Sequence, residues 1–508
     1  MKLSGSAQMR EMDSYVIEDL GISGVTLMSN AAGHLAAAAM GRLTLGGVAA
    51  VFCGPGNNGG DGIGAAAYLI EKGVPVRVFL VGDKQRLTSD SREMLHRLEM
   101  LGGSLEIFNE SYEIAHYSGI CGVIIDAMFG IGLNSDLRGY AAIAADMINA
   151  SRAYVIAADI PSGVHADSGA ILGTAVKADL TLTFSMAKPG HFIEPGCAYC
   201  GEVRVCDIGI PNQIINNAAS NVFTVSQTDV SLPRRRPDSH KGDYGRCFIV
   251  AGSLGYTGAP ALCARAASKM GAGLVYLGVP KSIYDIMAAK LDEEMPFPLP
   301  DDGHGRLAAN AGSETLHRAE QCDVCLIGPG LGRSPEITEL VTSTIRISET
   351  PIVLDADGLN AIAETRDILD QATCQLILTP HPGEFLRIGG NLSSGDRLSA
   401  ARNFAIEHNC VLVLKGHRTI TAMPDGSAYI NTTGNPAMAK GGSGDVLAGM
   451  IAALVGQKFP VRDAVTTAVY LHGLAGDLCA AELGEYSVTA GDIISMIPRA
   501  VKGLGYRV

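Results

Sequence analysis

The sequence has little basic charge and no long hydrophobic run, and each of these shortages excludes a class of protein. Its 39 Lys and Arg residues face 52 Asp and Glu, which gives a net charge of −13. A chain this acidic repels phosphate backbones, so nucleic-acid binding is not its main role. No apolar run reaches the ~18 residues of a membrane span, so no membrane partner is expected. Residues 1–10 contain no apolar signal core, and we therefore expect a cytoplasmic protein.

Charged residues make up only 18% of the chain, whereas hydrophobic residues make up 47%. That balance excludes intrinsic disorder for the bulk of the sequence. With 508 residues, the chain is long enough for two or three domains, each with its own core. The 62 glycines are numerous, and they indicate many tight turns between strands and helices.

The twelve cysteines are scattered, and several fall inside apolar, strand-like segments. In a reducing compartment such residues are small buried hydrophobes. Two CxxC pairs occur, Cys197/Cys200 and Cys322/Cys325, and they are far apart along the chain. A zinc site shared by the two pairs is the alternative, although spacing alone is weak support for it.

Short apolar strands alternate with helical segments in both halves of the chain, which predicts parallel sheets covered on both faces. The strands predicted in the first half are Val48–Cys53, Val76–Val81, Val123–Asp126, Tyr154–Ile160 and Leu180–Phe184. Those predicted in the second half are Cys247–Ala251, Leu274–Val279, Val324–Ile327, Ile352–Asp355, Leu376–Thr379 and Val411–Leu414. Between the halves, residues 212–238 have the polar and proline-rich composition of a linker. Two α/β domains are the simplest account.

A glycine-rich loop, residues 54–62, follows the first strand and precedes a helix predicted over Gly64–Lys72. Its first six residues fit the G-x-G-x-x-G dinucleotide fingerprint. Asp61, however, is predicted at the helix start, where its carboxylate would cap the helix and repel a phosphate. The loop is therefore predicted to hold polar groups or a cation, and a simple capped turn is the alternative.

Two further strands of the first half end in aspartates, Asp126 and Asp159. In open α/β sheets, ligands bind beyond the carboxyl ends of the strands, so these loops converge on one crevice. Together with Asn58 they offer several oxygens, which suit a hard cation, including a monovalent one. One carboxylate then remains for acid–base chemistry.

In the second half, Gly441–Gly442–Ser443–Gly444–Asp445 precedes a predicted helix that starts at Asp445. Backbone N–H groups at such a helix start form an anion site suited to a phosphoryl group. The carboxylate of Asp445 can accept a proton from an attacking hydroxyl. Helix capping by Asp445 is the alternative, although capping requires only one residue and not the glycines before it.

Other strand ends of the second half also carry polar groups. Residues 415–419 place two cations and a hydroxyl after a strand, which suits nucleotide phosphates, with a solvated hairpin turn as the alternative. The loop containing Gly330 and the segment Thr379–Glu384 also leave strand ends. Prolines on both sides hold His381 in an extended loop, which favours ligand contact over packing.

The motifs of the first half resemble the NAD(P)H-hydrate epimerase domain, over residues 1–218. The resemblance implies a Rossmann-like three-layer fold with Asp159 as the catalytic acid–base residue. It implies potassium bound by Asn58, Asp126 and Ser162. The implied substrate-binding residues are Asp159 and the residues of two loops. The first loop comprises Asn57, Asn58, Gly59, Gly60 and Asp61. The second comprises Gly130, Ile131, Gly132, Leu133, Asn134, Ser135 and Asp136.

The motifs of the second half resemble the ADP/ATP-dependent NAD(P)H-hydrate dehydratase domain of the ribokinase-like superfamily, over residues 225–505. The resemblance implies Asp445 as the catalytic base, with Mg²⁺ accompanying the nucleotide. The implied hydrate-binding residues are Ala259, Gly330, His381 and Asp445. The implied nucleotide-binding residues are Lys415, Gly416, His417, Arg418, Thr419 and Gly444.

Together, the two motif sets are similar to the bifunctional NAD(P)H-hydrate repair enzymes. That family interconverts the R and S hydrates of NADH and NADPH, and dehydrates the S form with ADP or ATP. We also expect a homo-oligomer. A small-molecule alcohol kinase carrying an N-terminal binding or dimerisation module is the alternative, and a stable phosphorylated product would identify it.

Overall fold

The computed structural model describes residues 1–44 and 46–504. The described chain divides into two compact units, one comprising Lys2–Val222 and the other running on from Phe223. Among the described helices, none combines the length and apolar character that crossing a membrane requires. All twelve cysteines are free, and Cys53, Cys121, Cys247 and Cys325 are buried in their strands or beside them, as predicted.

The first unit is built around a parallel sheet. A short strand, β1 (Lys2–Leu3), precedes this sheet along the chain and is not part of it. The seven strands of the sheet are β2 (Ala49–Cys53), β3 (Val76–Leu80), β4 (Leu105–Ile107), β5 (Val123–Ala127), β6 (Tyr154–Ala158), β7 (Leu180–Phe184) and β8 (Glu202–Cys206). Its helices are α1 (Ser6–Glu18), α2 (Gly24–Met40), α3 (Asn57–Glu71), α4 (Ser89–Met100), α5 (Tyr112–Ile120), α6 (Tyr140–Ala150) and α7 (Asn212–Asn217). The order β4-β3-β2-β5-β6-β7-β8, parallel throughout, is that of a Rossmann-like fold.

The central strands of this sheet are buried on both faces because alternate side chains enter two separate cores. Val51 and Cys53 belong to the core that includes α2 and α3, whereas Phe52 belongs to the core that includes α6. This arrangement gives three layers, as the resemblance implied. It also explains why the strands are continuous apolar runs rather than alternating ones.

The second unit contains a larger mixed sheet. Its strands are β9 (Val222–Val225), β10 (Arg246–Val250), β11 (Leu274–Pro280), β12 (Met295–Leu299), β13 (Val324–Ile327), β14 (Ile352–Leu354), β15 (Leu376–Leu378), β16 (Val411–Leu414), β17 (Ile420–Ala422) and β18 (Ala428–Asn431). Its helices are α8 (Gly258–Lys269), α9 (Tyr284–Lys290), α10 (Ala311–Ala319), α11 (Pro335–Ile347), α12 (Asp357–Ala361), α13 (Pro382–Arg387), α14 (Arg397–Glu407), α15 (Ser443–Gly456), α16 (Val461–Leu483) and α17 (Ala490–Gly503). One core joins the sheet to α8, α15, α16 and α17.

The strands of the second sheet follow the order β9-β18-β17-β16-β15-β14-β13-β10-β11-β12. Strands β10 to β16 pair in parallel with their neighbours, whereas β16, β17 and β18 form antiparallel pairs. Residues 415–419 thus join two antiparallel strands, which is the hairpin that the sequence left as an alternative.

The structure corrects three boundaries. The predicted linker, residues 212–238, contains a helix and a strand, α7 and β9. Helix α3 begins at Asn57 and not after Gly62, so Asp61 lies in its second turn and does not cap it. Helix α15 begins at Ser443 after Gly442, so Asp445 is its third residue and not its first. In both cases the start of the helix is rich in glycine, which is typical of loops, and the sequence therefore predicted a later helix start.

Candidate active sites

In the first unit, the carboxyl ends of β2, β5, β6 and β7 meet at one edge of the sheet and surround Asp159. The side chain of Asp159 is buried, and its backbone has φ = +65°, a left-handed conformation that is strained for a residue other than glycine. Strain of this kind persists only where the surroundings enforce it, and it is common in active sites.

The carboxylate of Asp159 is held through one of its two oxygens. Oδ1 accepts hydrogen bonds from the ammonium group of Lys188 and from Thr183 Oγ1, the latter at 3.2 Å. Oδ2 accepts none from the described residues, and it faces Gly130, where a β-carbon would come within 3.2 Å of it. Asn58 lies at the same distance from that position. Gly130 therefore leaves the space in which Oδ2 and the Asn58 amide can meet a ligand.

Asn58, Asp126 and Ser162 were the residues implied for potassium. Asp126 is fully buried, and its two oxygens accept hydrogen bonds from the Ser162 hydroxyl (2.7 Å) and the Ser162 N–H (2.8 Å). Ser162 Oγ accepts in turn from the N–H of Phe129, the residue before Gly130. The side-chain oxygen and nitrogen of Asn58 are buried and have no hydrogen-bond partner among the described residues. Since buried amides are normally satisfied, this one indicates a missing ligand, and a cation at the amide oxygen fits.

The carboxyl groups of the crevice differ in pKa because Asp159 contacts a cation. Burial raises the pKa of Asp61 well above its usual value, and the nearby Asp159 raises it further. Burial likewise raises the pKa of Asp13 to about 6, although Lys188 opposes the shift. The pKa of Asp159 is lowered, because Lys188 outweighs the effect of burial. The ammonium of Lys188 thus favours the ionised form of Asp159, whereas burial favours the protonated form of Asp61.

The remaining implied substrate residues of the first unit fall into two groups. Gly59 and Gly60 are buried, and a β-carbon would collide with Gly54 O (1.8 Å) at the first and with Met28 and Ser91 at the second. Their lack of side chains is thus explained by close packing of α3. Ile131 and Leu133 are half-buried in the core, whereas four residues lie on an exposed loop: Gly132, Asn134, Ser135 and Asp136.

The second unit has a cavity of about 850 Å³ beside the start of α15. Residues from the β16–β17 turn, the segment after β18 and α16 line it, among them Lys415, Gly416, His417, Thr419, Asn431, Gly434, Asn435, Lys440, Gly441, Ser443, Gly444, His472 and His381. This volume lies within the range of small-molecule sites. Arg418 is not in the lining, because its guanidinium turns back and donates to Thr432 O at 2.9 Å.

A half-buried cation, the ammonium of Lys415, lies at the N-terminus of α15. Lys415 Nζ lies 2.7 Å from Asp355 Oδ1 and 3.8 Å from Glu384 Oε2. A β-carbon on Gly444 would come within 3.3 Å of the same ammonium, which places it at the first turn of the helix. Burial opposes the charge of Lys415, but Asp355 and Glu384 outweigh it, and the pKa is raised. The ammonium and the helix N-terminus together suit a phosphoryl group.

Asp445 lies in the first turn of α15, next to Gly444 of that anion site. Its carboxylate accepts no hydrogen bond from the residues that the structure describes. Burial raises its pKa to about 7 and Asp355 adds to the shift, while Lys415 opposes it. A carboxylate that titrates near neutral pH is well matched to general-base catalysis. Helix α15 has no side-chain cap at Gly442, so capping does not account for Asp445.

Ala259 and Gly330 lie next to each other in the second unit. A β-carbon on Gly330 would come within 3.3 Å of Ala259 Cβ, and Gly330 O accepts a hydrogen bond from Ser253 Oγ at 2.8 Å. His381 is at the N-terminus of α13 with extended backbone, as predicted, and its Nδ1 accepts from the N–H groups of Gly383 and Glu384. Its exposed ring also lines the cavity.

Sequence reasoning missed several residues of both sites. In the first unit these are Asp13, Thr183, Lys188 and His191; in the second they are Asp355, His472 and Asp477. Lys188 had a usable signal, since it follows a strand whose carboxyl end meets the same edge of the sheet. Asp13 and Asp477 had none, because they lie within helices. Asp477 anchors the cavity wall by accepting from Gly434 N and Asn435 Nδ2.

Comparisons with known proteins cover both units. Residues 24–190 match the family described as YjeF-related protein N-terminus, and residues 247–499 match that described as NAD(P)H-hydrate dehydratase. A bifunctional NAD(P)H-hydrate repair enzyme of Thermofilum pendens is 38% identical over 99% of this chain and 97% of its own. One of Moorella thermoacetica is 39% identical with the same coverage.

Among solved structures, a ribokinase-like superfamily protein of Enterococcus faecalis is 26% identical. It aligns with a TM-score of 0.50 over 56% of this chain and 98% of its own. An ADP/ATP-dependent NAD(P)H-hydrate dehydratase of Bacillus subtilis, co-crystallised with ATP/Mg2+, is 31% identical with a TM-score of 0.49. It covers 56% of this chain and 99% of its own.

Proposed function

Since the chain belongs to the family of bifunctional NAD(P)H-hydrate repair enzymes, we propose that it restores hydrated nicotinamide cofactors to NADH and NADPH. The unit comprising Lys2–Val222 interconverts the R and S hydrates. The unit that follows it dehydrates the S form with ADP or ATP. One observation carries this proposal: each unit presents a carboxylate oxygen free of hydrogen bonds, beside an orphaned amide in the first unit and an anion site in the second.

Epimerisation breaks and re-forms the bond between C6 and its hydroxyl oxygen, and the protein needs to supply only proton transfers. The hydroxyl at C6 of the ring is protonated and leaves as water, and the ring nitrogen stabilises the resulting iminium cation. Water then adds to the other face and gives up a proton. Asp159 Oδ2, which accepts no hydrogen bond from the described residues, is our candidate for that acid–base role. Burial raises the pKa of Asp61 in the same crevice, which suits its carboxyl group to donate the proton that the leaving hydroxyl requires.

We propose that Asn58, Asp126 and Ser162 hold a potassium ion, whose charge would help to position the substrate. The orphaned amide of Asn58 supports the proposal, and the set has too few carboxylates for a strong divalent site. Crystals grown with thallium(I) in place of potassium should show an anomalous peak within coordination distance of the Asn58 and Ser162 side chains. Asn58→Ala should weaken the peak. Only water between these residues would reject the site.

In the second unit, Asp445 takes the proton of the C6 hydroxyl as the oxygen attacks the terminal phosphoryl group of the nucleotide. Lys415 and the N–H groups at the start of α15 hold the phosphoryl oxygens, and Mg²⁺ accompanies the nucleotide. The phosphate ester at C6 then leaves as inorganic phosphate, and loss of a C5 proton restores the dihydropyridine ring. With ADP, the products are AMP, phosphate and NAD(P)H.

Chromatography of mixed R and S hydrates, incubated with the protein, Mg²⁺ and ADP or ATP, tests this function. Both epimers should disappear, and NADH and phosphate should form in equal amounts. Without nucleotide, pure R hydrate should only equilibrate with the S form, faster than in a protein-free control. A stable phosphorylated product without release of phosphate would instead identify an alcohol kinase.

A further inference from the structure

Lys188 is an unusual residue for the interior of a protein. It is 1% exposed and ranks among the largest fully buried side chains of the described chain. It occupies the segment after β7, at the edge of the sheet where β2, β5 and β6 also end. The proposed epimerase function is the premise for giving it a role.

The ammonium of Lys188 contacts one oxygen of Asp159 and leaves the other unbonded. It donates to Oδ1 and, at 2.9 Å, to Thr183 Oγ1, which itself donates to Oδ1. Since this oxygen has two partners within the protein, the carboxylate is fixed in orientation. Oδ2 is directed towards Gly130 and Asn58, where the substrate loop begins.

The backbone of Asp159 is held by the same segment. The N–H of Lys188 donates to His191 Nδ1 at 3.0 Å, so the hydrogen of the neutral ring must be on Nε2. Nε2 lies 2.9 Å from Asp159 O and donates to it. Burial lowers the pKa of His191 to about 4, which keeps the ring neutral. Lys188 and His191 therefore donate hydrogen bonds to the carboxylate and to the carbonyl of Asp159, respectively. These contacts maintain its strained φ.

Stability alone does not account for this arrangement. Desolvation of a buried ion pair offsets most of its attraction, and apolar replacements of such pairs are often neutral or stabilising. The crevice also contains other carboxyl groups, among them Asp13 from α1 and Asp61 from α3, and the ammonium contacts neither in the described structure. It is directed to Asp159, whose other oxygen, Oδ2, lies beside Gly130 and Asn58.

We propose that Lys188 is a positioning residue for epimerisation, which keeps Asp159 ionised and directs its Oδ2 at the hydrate. The charged and titratable groups that face Asp159 are Asp13, Asp61, Lys188 and His191. A neighbouring cation typically lowers the pKa of an aspartate by about 1–3 units. Without the ammonium, Asp159 takes up a proton at a correspondingly higher pH.

Lys188→Met tests this role, because it retains the length of the side chain and removes the charge. The measurement is the pH dependence of kcat/KM for R-to-S conversion by the full-length protein. The acid limb should move up by about 1–3 pH units, with about tenfold loss of kcat/KM for each unit on the acid side, and activity should recover as the pH rises. Loss that is independent of pH would overturn the proposal.

Thr183→Val is the matched control. It removes the second hydrogen bond to Oδ1 but keeps the ammonium, so the acid limb should stay near that of the wild-type protein. Lys188→Arg, which keeps a cation, should also retain the wild-type limb even where kcat falls. If the acid limb of Thr183→Val or of Lys188→Arg moved as far as that of Lys188→Met, the positioning role would be rejected. Failure of both Lys188 variants to fold would also reject it.

The wild-type protein separates this inference from its premise. If it fails to convert R to S hydrate, the epimerase function itself is rejected. If it converts the hydrate normally and the Lys188→Met limb is unchanged, only the role of Lys188 is rejected.

Discussion

Asp445→Asn is expected to lower nucleotide-dependent dehydration of the S hydrate by about 10²–10⁴-fold, the usual contribution of a positioned general base. The amide has nearly the size of the carboxylate but cannot accept the proton of the C6 hydroxyl. Phosphate release from ADP in the presence of S hydrate measures the loss. R-to-S conversion should be unchanged, which provides a control within the same protein sample.

The pH dependence of the wild-type reaction gives a second test of Asp445. Its pKa is about 7, and the base must be ionised, so the rate of dehydration should rise with pH and level off above that value. The variant should lack this limb. Unchanged phosphate release from Asp445→Asn would remove the residue as the base.

The effect of Asp445→Asn on stability has a defined sign. A carboxyl group whose pKa is raised on folding stabilises the folded state at pH values below its pKa in the unfolded chain. That contribution is lost as the pH rises through the pKa in the folded state, about 7. Above pH 7, the neutral amide should therefore leave the melting temperature unchanged or increase it. Lost activity with a collapsed melting temperature would instead support a structural role.

Asp159→Asn is expected to stop R-to-S conversion while nucleotide-dependent loss of the S hydrate continues. The amide cannot exchange a proton with the leaving or adding water, so a loss of about 10²–10⁴-fold is expected. The measurement is chromatographic, starting from pure R hydrate without nucleotide. Conversion at the normal rate would exclude the acid–base role.

Stability must be controlled separately for Asp159→Asn, because the change leaves Lys188 buried without its partner. Breaking a buried ion pair in this way typically costs about 3–5 kcal/mol. The pKa of Asp159 is lowered on folding. Its stabilising contribution is therefore present at pH values above its pKa in the unfolded chain and is lost as the pH falls through its pKa in the folded state. The double variant Asp159→Asn/Lys188→Met removes both charges and should regain stability without regaining epimerisation. Regained activity would show that the carboxylate is dispensable.

The strand pattern was predictable because every central strand of a parallel sheet is buried on both faces. Leu180–Phe184, Val324–Ile327 and Val411–Leu414 coincide with strands of the structure. The start of α3 was not predictable from propensity, because Asn57–Gly62 is rich in glycine and asparagine. The helix forms there because Gly59 and Gly60 allow close packing against Gly54, Met28 and Ser91.

The sequence by itself placed Asp126, Asp159 and Asp445 at the ends of strands or at the start of a helix. Local pattern suffices for that, since the carboxyl ends of parallel strands share one edge. Only the tertiary structure brought Lys188 and Asp13 beside Asp159, and Lys415 to the start of α15. It also decided the direction in which each carboxyl pKa is shifted, because the shift depends on burial and on the nearest cation, and neither is a property of local sequence.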